Sequence, residues 1–220
     1  MPSKARKSLK ANSADLERLW EIHGHEAGTA PGRKYGVEVL NKAAVVLVCA
    51  AWEAYCEDIV REAIDYIASD CTDPTKLPKE LRTTISNRVR DDKHDHGPWA
   101  LAGDGWRKVL KSNAEDVAKK LTGAWNTPKT AQIKDLFAKA LGIDDITKSW
   151  DWHMNPVAVT TQRLDEYVGL RGEIAHRLKP ENSVHKKHGE WFYDHISRLA
   201  DKIDGDVLAM LKAATGKDYW

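Results

Sequence analysis

Apolar side chains recur along this chain at spacings of three and four, whereas period-two alternation is short and scattered. That pattern predicts helices and no sheet. The strongest stripe runs Val37, Leu40, Ala44, Leu47, Ala51, Tyr55 and Ile59, and it predicts one long helix over 35–69. Val45, Val46, Cys49, Trp52 and Val60 widen the stripe until the middle turns are apolar almost all round. A helix of that kind belongs at the buried centre of a bundle. Its second half turns polar abruptly at Glu53, Glu57, Asp58 and Arg61.

Shorter helices are expected around it. A first one covers 13–25, and others cover 78–90 and 105–121. Thr127-Pro128 reads as a helix start, because proline at the first helical position loses no needed donor. That helix should stop at Gly142. Asn155-Pro156 repeats the signal and opens a helix to about Arg177, closed by Pro180. A last helix is expected over 184–214, with Gly216 as terminator. The expected fold is a single all-α bundle over 1–220. Residues 1–12 would be a flexible basic tail, and 70–150 a loop-rich, embellished middle.

Charge adds an exclusion. The 220 residues carry Lys+Arg 34 against Asp+Glu 33, a formal net charge of +1, so nucleic acid can be met only by a local patch. The longest apolar run, 43–52, is about half of a membrane span. No membrane contact and no secretory signal are expected, which points to the cytoplasm. Cys49 and Cys56 lie two turns apart on one helix, roughly 10 Å, too far to bridge.

Two segments carry candidate chemistry. LRGEIAHR at 170–177 places Arg171 and His176 five residues apart near a helix end, an offset of about 140°. They converge only if the last turn loosens, as Pro180 would encourage, or if the long Arg171 side chain wraps round the helix. The plainer reading is that both cations complement the negative end of the helix dipole. WEAYCED at 52–58 places Glu53 and Glu57 on one face where the apolar helix turns polar. A carboxylate there either has a raised pKa or needs a cation such as Arg171 or Arg177, and a structural ion pair is its plainer reading.

AWEAYCEDIV on a long early helix, followed by LRGEIAHR before a final helix, resembles the HEPN superfamily, and within it the RiboL-PSP-HEPN group. The resemblance implies a helical bundle that dimerises so that two Arg-x4-His motifs face one cleft. In active members that cleft is a metal-independent endoribonuclease needing no cofactor. Carried over, Arg171 and His176 match the motif and Glu53 matches the acidic residue of the Trp-Glu helix. Arg177 and Lys179 beside them would contact RNA. Gly172 stands where the family often has a polar residue, which removes one supporting hydrogen bond. Leu178 stands where some family toxins carry a tyrosine that a partner transferase modifies. The implied role is a toxin or anti-phage effector, with an antitoxin or defence-system protein as partner. The alternative is a HEPN-like interaction or nucleotide- and RNA-binding module that does not cleave.

RNA cleavage suits these residue types. RNA carries its own nucleophile, the 2′-hydroxyl, and imidazole exchanges protons near neutral pH. Guanidinium stays charged and binds phosphate through two donors. Other constellations are weaker. His94-Asp95-His96, after Asp91 and Asp92, lacks the fixed spacing of metal motifs and reads as a solvated loop. His23-x-His25 and His185-x2-His188 are no stronger. Trp99, Trp106, Trp150 and Trp152 could stack on bases, but anchoring loops is the commoner use. Lys186 and Lys187, with Arg171, Arg177 and Lys179, suggest a groove for one RNA element rather than broad phosphate coating.

Overall fold

Helix α3, Glu38–Asp70, is the axis on which the chain is assembled. This computed structural model describes residues 1–28, 36–91, 97–123, 127–177 and 183–220, with the side chains of 113, 117, 121, 122 and 177 excepted. Among them the elements are helices α1 (Lys4–Ala11), α2 (Ser13–Ala27), α3, α4 (Lys79–Arg90), α5 (Gly105–Thr122), α6 (Thr130–Leu141), α7 (Val157–Arg177) and α8 (Lys186–Thr215). Short 3-10 turns lie at Pro74–Lys76, Gly97–Leu101 and Ile146–Ser149, and no strand is present among the described residues. The all-α bundle expected from the periodicity is what forms. Helices α1, α2, α5, α6, α7 and α8 all pack on α3, and α8 covers the most of it. Trp52, Cys56, Ile59 and Ile64 of α3 are wholly buried there. Among the described residues, no helix is long and apolar enough to cross a membrane.

The expected flexible tail is wrong for 4–11, which form docked helix α1 with Ala5 and Leu9 buried. An eight-residue helix is marginal alone, so its two apolar positions carry little signal. It is held by acids from distant helices. The Ser3 amide and hydroxyl donate to the Asp204 carboxylate at 2.8 and 2.7 Å. Lys4 and Ala5 amides donate to Glu62 at 3.2 and 3.1 Å. Two carboxylates therefore sit at the positive end of the α1 dipole and satisfy its orphan donors.

The start of α6 also differs. The helix begins at Thr130, two residues beyond Pro128, and has no local side-chain cap. The Thr130 amide donates instead to Asp165 of α7 at 2.7 Å. Gly142 ends α6 as expected, in the left-handed region at φ 68°, and Gly216 ends α8 in the same way.

Helices α7 and α8 run antiparallel, since Thr160 meets His195 while Tyr167 stacks on Phe192. The His195 ring nitrogen Nε2 lies 2.9 Å from the Thr160 carbonyl, which can only accept, so Nε2 carries the proton. Burial pushes the imidazole down to about 4, aided by Arg163 and Arg198, against the opposing pull of that hydrogen bond. An unfolded histidine titrates near ~6.5. As pH falls through this window the unfolded chain takes the proton first, so stability present above ~6.5 is lost towards pH 4, by roughly 3 kcal/mol in full. Urea denaturation at pH 7 and 4.5 should show His195→Gln losing less stability on acidification than wild type. Equal losses in the two proteins would refute the assignment.

Candidate functional site

Helix α7 stays helical through Arg177, so its last turn does not loosen. Arg171 and His176 keep their offset of about 140° and lie on different flanks of the helix. Arg171 is half-buried and His176 is exposed. Gly172, between them in sequence, faces open space, and a Cβ added there meets no atom within 4 Å. The side chain of Arg177 and all of Lys179 lie outside the described residues.

Arg171 and Glu53 gather around Cys49, where α7 packs on α3. Burial pushes the Cys49 thiol up to about 11; the Arg171 charge opposes that shift and the Glu53 charge adds to it. Four residues further along α3, Glu57 is also raised, first by burial and then by the negative charge of Glu53. Glu53 is half-buried, and among the described residues no ion pair joins it to Arg171. The seam thus holds a guanidinium and a carboxylate in one electrostatic neighbourhood without spending either on the other.

On the amino-terminal side of Glu53 and just past it, α3 carries apolar residues that are exposed among the described residues. Val39 is 64% exposed and Leu47 is 45% exposed, with Ala50 and Ala54 exposed beside them. These positions follow the three-and-four spacing of one face, on a helix whose other faces supply much of the core.

The remaining sequence candidates separate cleanly. His94 to His96 lie outside the described residues, and among those described no group of three or more His, Cys, Asp or Glu side chains could hold a metal. His185 and His188 start α8, where His188 Nδ1 accepts from the His185 amide at 3.2 Å. Trp106 and Trp150 are buried anchors, Trp99 is exposed, and Trp152 is half-buried at the edge of a cleft. That cleft also contains Trp191, Asp194 and Arg198, which the sequence reading passed over. The signal was there in the four-residue spacing of Lys187, Trp191 and His195 on one face of α8.

A family model for RiboL-PSP-HEPN matches residues 12–209, nearly the whole chain. The chain belongs to the RiboL-PSP-HEPN family. The match takes in the Trp-Glu segment of α3 and the Arg-x4-His segment of α7 together, and the middle region 70–150 as well. It also includes α3, α7 and most of α8, the helices that frame the seam and the cleft. No curated protein and no solved structure matches this HEPN chain.

Proposed function

We propose that this HEPN protein is a metal-independent endoribonuclease that works as a homodimer, acting as a toxin or anti-phage defence effector. The observation that carries the reading is the seam itself: Arg171 of α7 and Glu53 of α3 both act electrostatically on buried Cys49, and α3 leaves apolar residues exposed among the described residues. One chain alone leaves His176 on the far flank of α7. A second copy seated on Val39, Leu47 and Ala50 would bury that face and bring a second motif to the cleft. Sedimentation should find a dimer at micromolar concentration, and Leu47→Glu should shift it towards monomer; a wild-type monomer unaffected by RNA would count heavily against the arrangement.

In the proposed reaction an imidazole takes the proton from the 2′-hydroxyl, and O2′ forms a bond to phosphorus. The bond from phosphorus to O5′ then breaks, and a second acid returns a proton to that leaving oxygen. The products are a 2′,3′-cyclic phosphate and a 5′-hydroxyl. Arg171 stabilises the extra negative charge on the phosphorane through two parallel donors. His176 of each copy supplies one half of the proton transfer. Purified protein should cleave total RNA in excess EDTA and leave cyclic phosphate ends. Loss of activity with chelator, restored by Mn²⁺ or Mg²⁺, would overturn the proposal.

The separation of Arg171 from His176 on α7, together with Gly172, favours a second reading: a HEPN module that binds RNA or a partner without cleaving it. The chelator experiment distinguishes the two, since the module leaves RNA intact under both conditions.

A further inference from the structure

A cleft of about 910 Å³ lies between α7, α8 and the turn around Trp152. Its chemistry is unlike that of a core or of a phosphate funnel. Trp191 of α8 is 55% exposed, with the Lys187 ammonium 5.1 Å from its ring. The Arg198 guanidinium stands 5.9 Å from the ring of half-buried Trp152. Tyr167 is half-buried and rests on Phe192. An exposed indole that the core does not use, steadied by a cation on the same helix face, is a platform on which a flat ligand can stack.

Among the lining residues Arg163 and Arg198 are matched in number by Glu166 and Asp194, and Lys187 over Trp191 adds one positive charge, a small surplus for attracting a polyanion. Asp194 makes no ion pair among the described residues, yet its charge reaches the phenol of Tyr167. A free carboxylate beside aromatic faces accepts hydrogen bonds and donates none. Guanine is the base that matches it. Its N1–H and N2 amino group lie side by side, so both oxygens of one carboxylate are used at once. Adenine and cytosine offer a single amino group, and uracil a single ring N–H.

We infer that this cleft binds an unpaired guanine of single-stranded RNA, with the base stacked on Trp191 and its Watson–Crick edge read by Asp194. The inference rests on the ribonuclease reading only for placing the strand in the catalytic cleft. Tyr167 precedes Arg171 by one turn of α7, about 6 Å of rise, so a strand leaving the cleft along α7 passes the seam at once. The cleft would then set which phosphodiester bond is presented to Arg171.

The test uses the full-length protein and labelled oligonucleotides about seven nucleotides long, fully 2′-O-methylated so that none can be cleaved. One set is all adenine and the other carries one central guanine. Anisotropy should show the guanine oligonucleotide bound roughly 5- to 150-fold tighter, the range for one bidentate base contact. Trp191→Ala should weaken binding of both sets by a similar factor, as removal of a stacking platform does. Asp194→Asn should abolish the guanine preference and leave the all-adenine affinity unchanged. Trp99→Ala, an exposed tryptophan elsewhere, should change nothing. No measurable binding by wild type, no guanine preference, or wild-type behaviour in both cleft variants would overturn the inference. Binding that depends on Trp191 while natural RNA is never cleaved upholds the cleft and removes only the nuclease reading. Cleavage of natural RNA with binding unchanged in both variants does the reverse.

Discussion

His176→Ala is expected to lower RNA cleavage by about 10²–10⁴-fold, the usual contribution of a proton-transfer group, with RNA binding nearly intact. His176 is exposed on α7, so the melting temperature should remain that of wild type. Arg171→Ala should reduce both binding and cleavage, because a guanidinium holds the ground-state phosphate as well as the developing charge. Glu53 separates a positioning role from a structural one. With no ion pair to Arg171 among the described residues, its removal strands no direct partner there. Glu53→Gln should therefore lower cleavage at nearly constant melting temperature. A drop of about 3–5 kcal/mol in Glu53→Ala would instead mark a buried ion pair. Full activity in His176→Ala, free of contaminating nuclease, would end the ribonuclease proposal and leave the binding module.

The largest stability effect is expected far from that seam, at Asp204. Its carboxylate is 6% exposed and accepts from the Ser3 amide, the Ser3 hydroxyl and the Tyr55 hydroxyl, the last at 3.0 Å. Tyr55 also has the Ala200 carbonyl at 2.8 Å and keeps a partner when Asp204 is lost. Ser3 keeps only its acceptor role, from the Arg6 amide at 2.9 Å: Asp204→Ala leaves its own amide and hydroxyl donors facing a cavity. Stranded buried donors cost about 1–3 kcal/mol each, so a loss of roughly 3 kcal/mol is expected. For a chain of this size that is a fall of roughly 6–12 °C in Tm. Asp201→Ala is the control, because it removes only the exposed partner of Arg6, an ion pair worth about 0–1 kcal/mol. Hydrogen exchange over 4–11 should accelerate in Asp204→Ala alone. Melting within a degree of wild type would show that α1 is not held from Asp204.

Several features were decided by sequence alone. The run from Val37 to Ile59 has one period and few polar interruptions, and a helix that apolar must be surrounded by others. The ends of α6 and α8 were legible for an equally local reason, since Gly142 and Gly216 adopt a backbone conformation that other residues avoid. The pairing of a Trp-Glu helix with a later Arg-x4-His helix was enough to point to the family. What sequence could not settle depended on partners far along the chain. Helix α1 exists because Asp204 and Glu62, from α8 and α3, neutralise its amino end. Helix α6 begins where it does because Asp165 of α7 reaches the Thr130 amide. Likewise, period and spacing put Arg171 and His176 about 140° apart, but only the folded chain shows α7 staying helical through Arg177. The exposed face of α3 and the cleft at Trp191 are invisible to periodicity for a related reason. A pattern of apolar positions tells which side chains avoid water, and only the packed neighbours decide which of them are left uncovered.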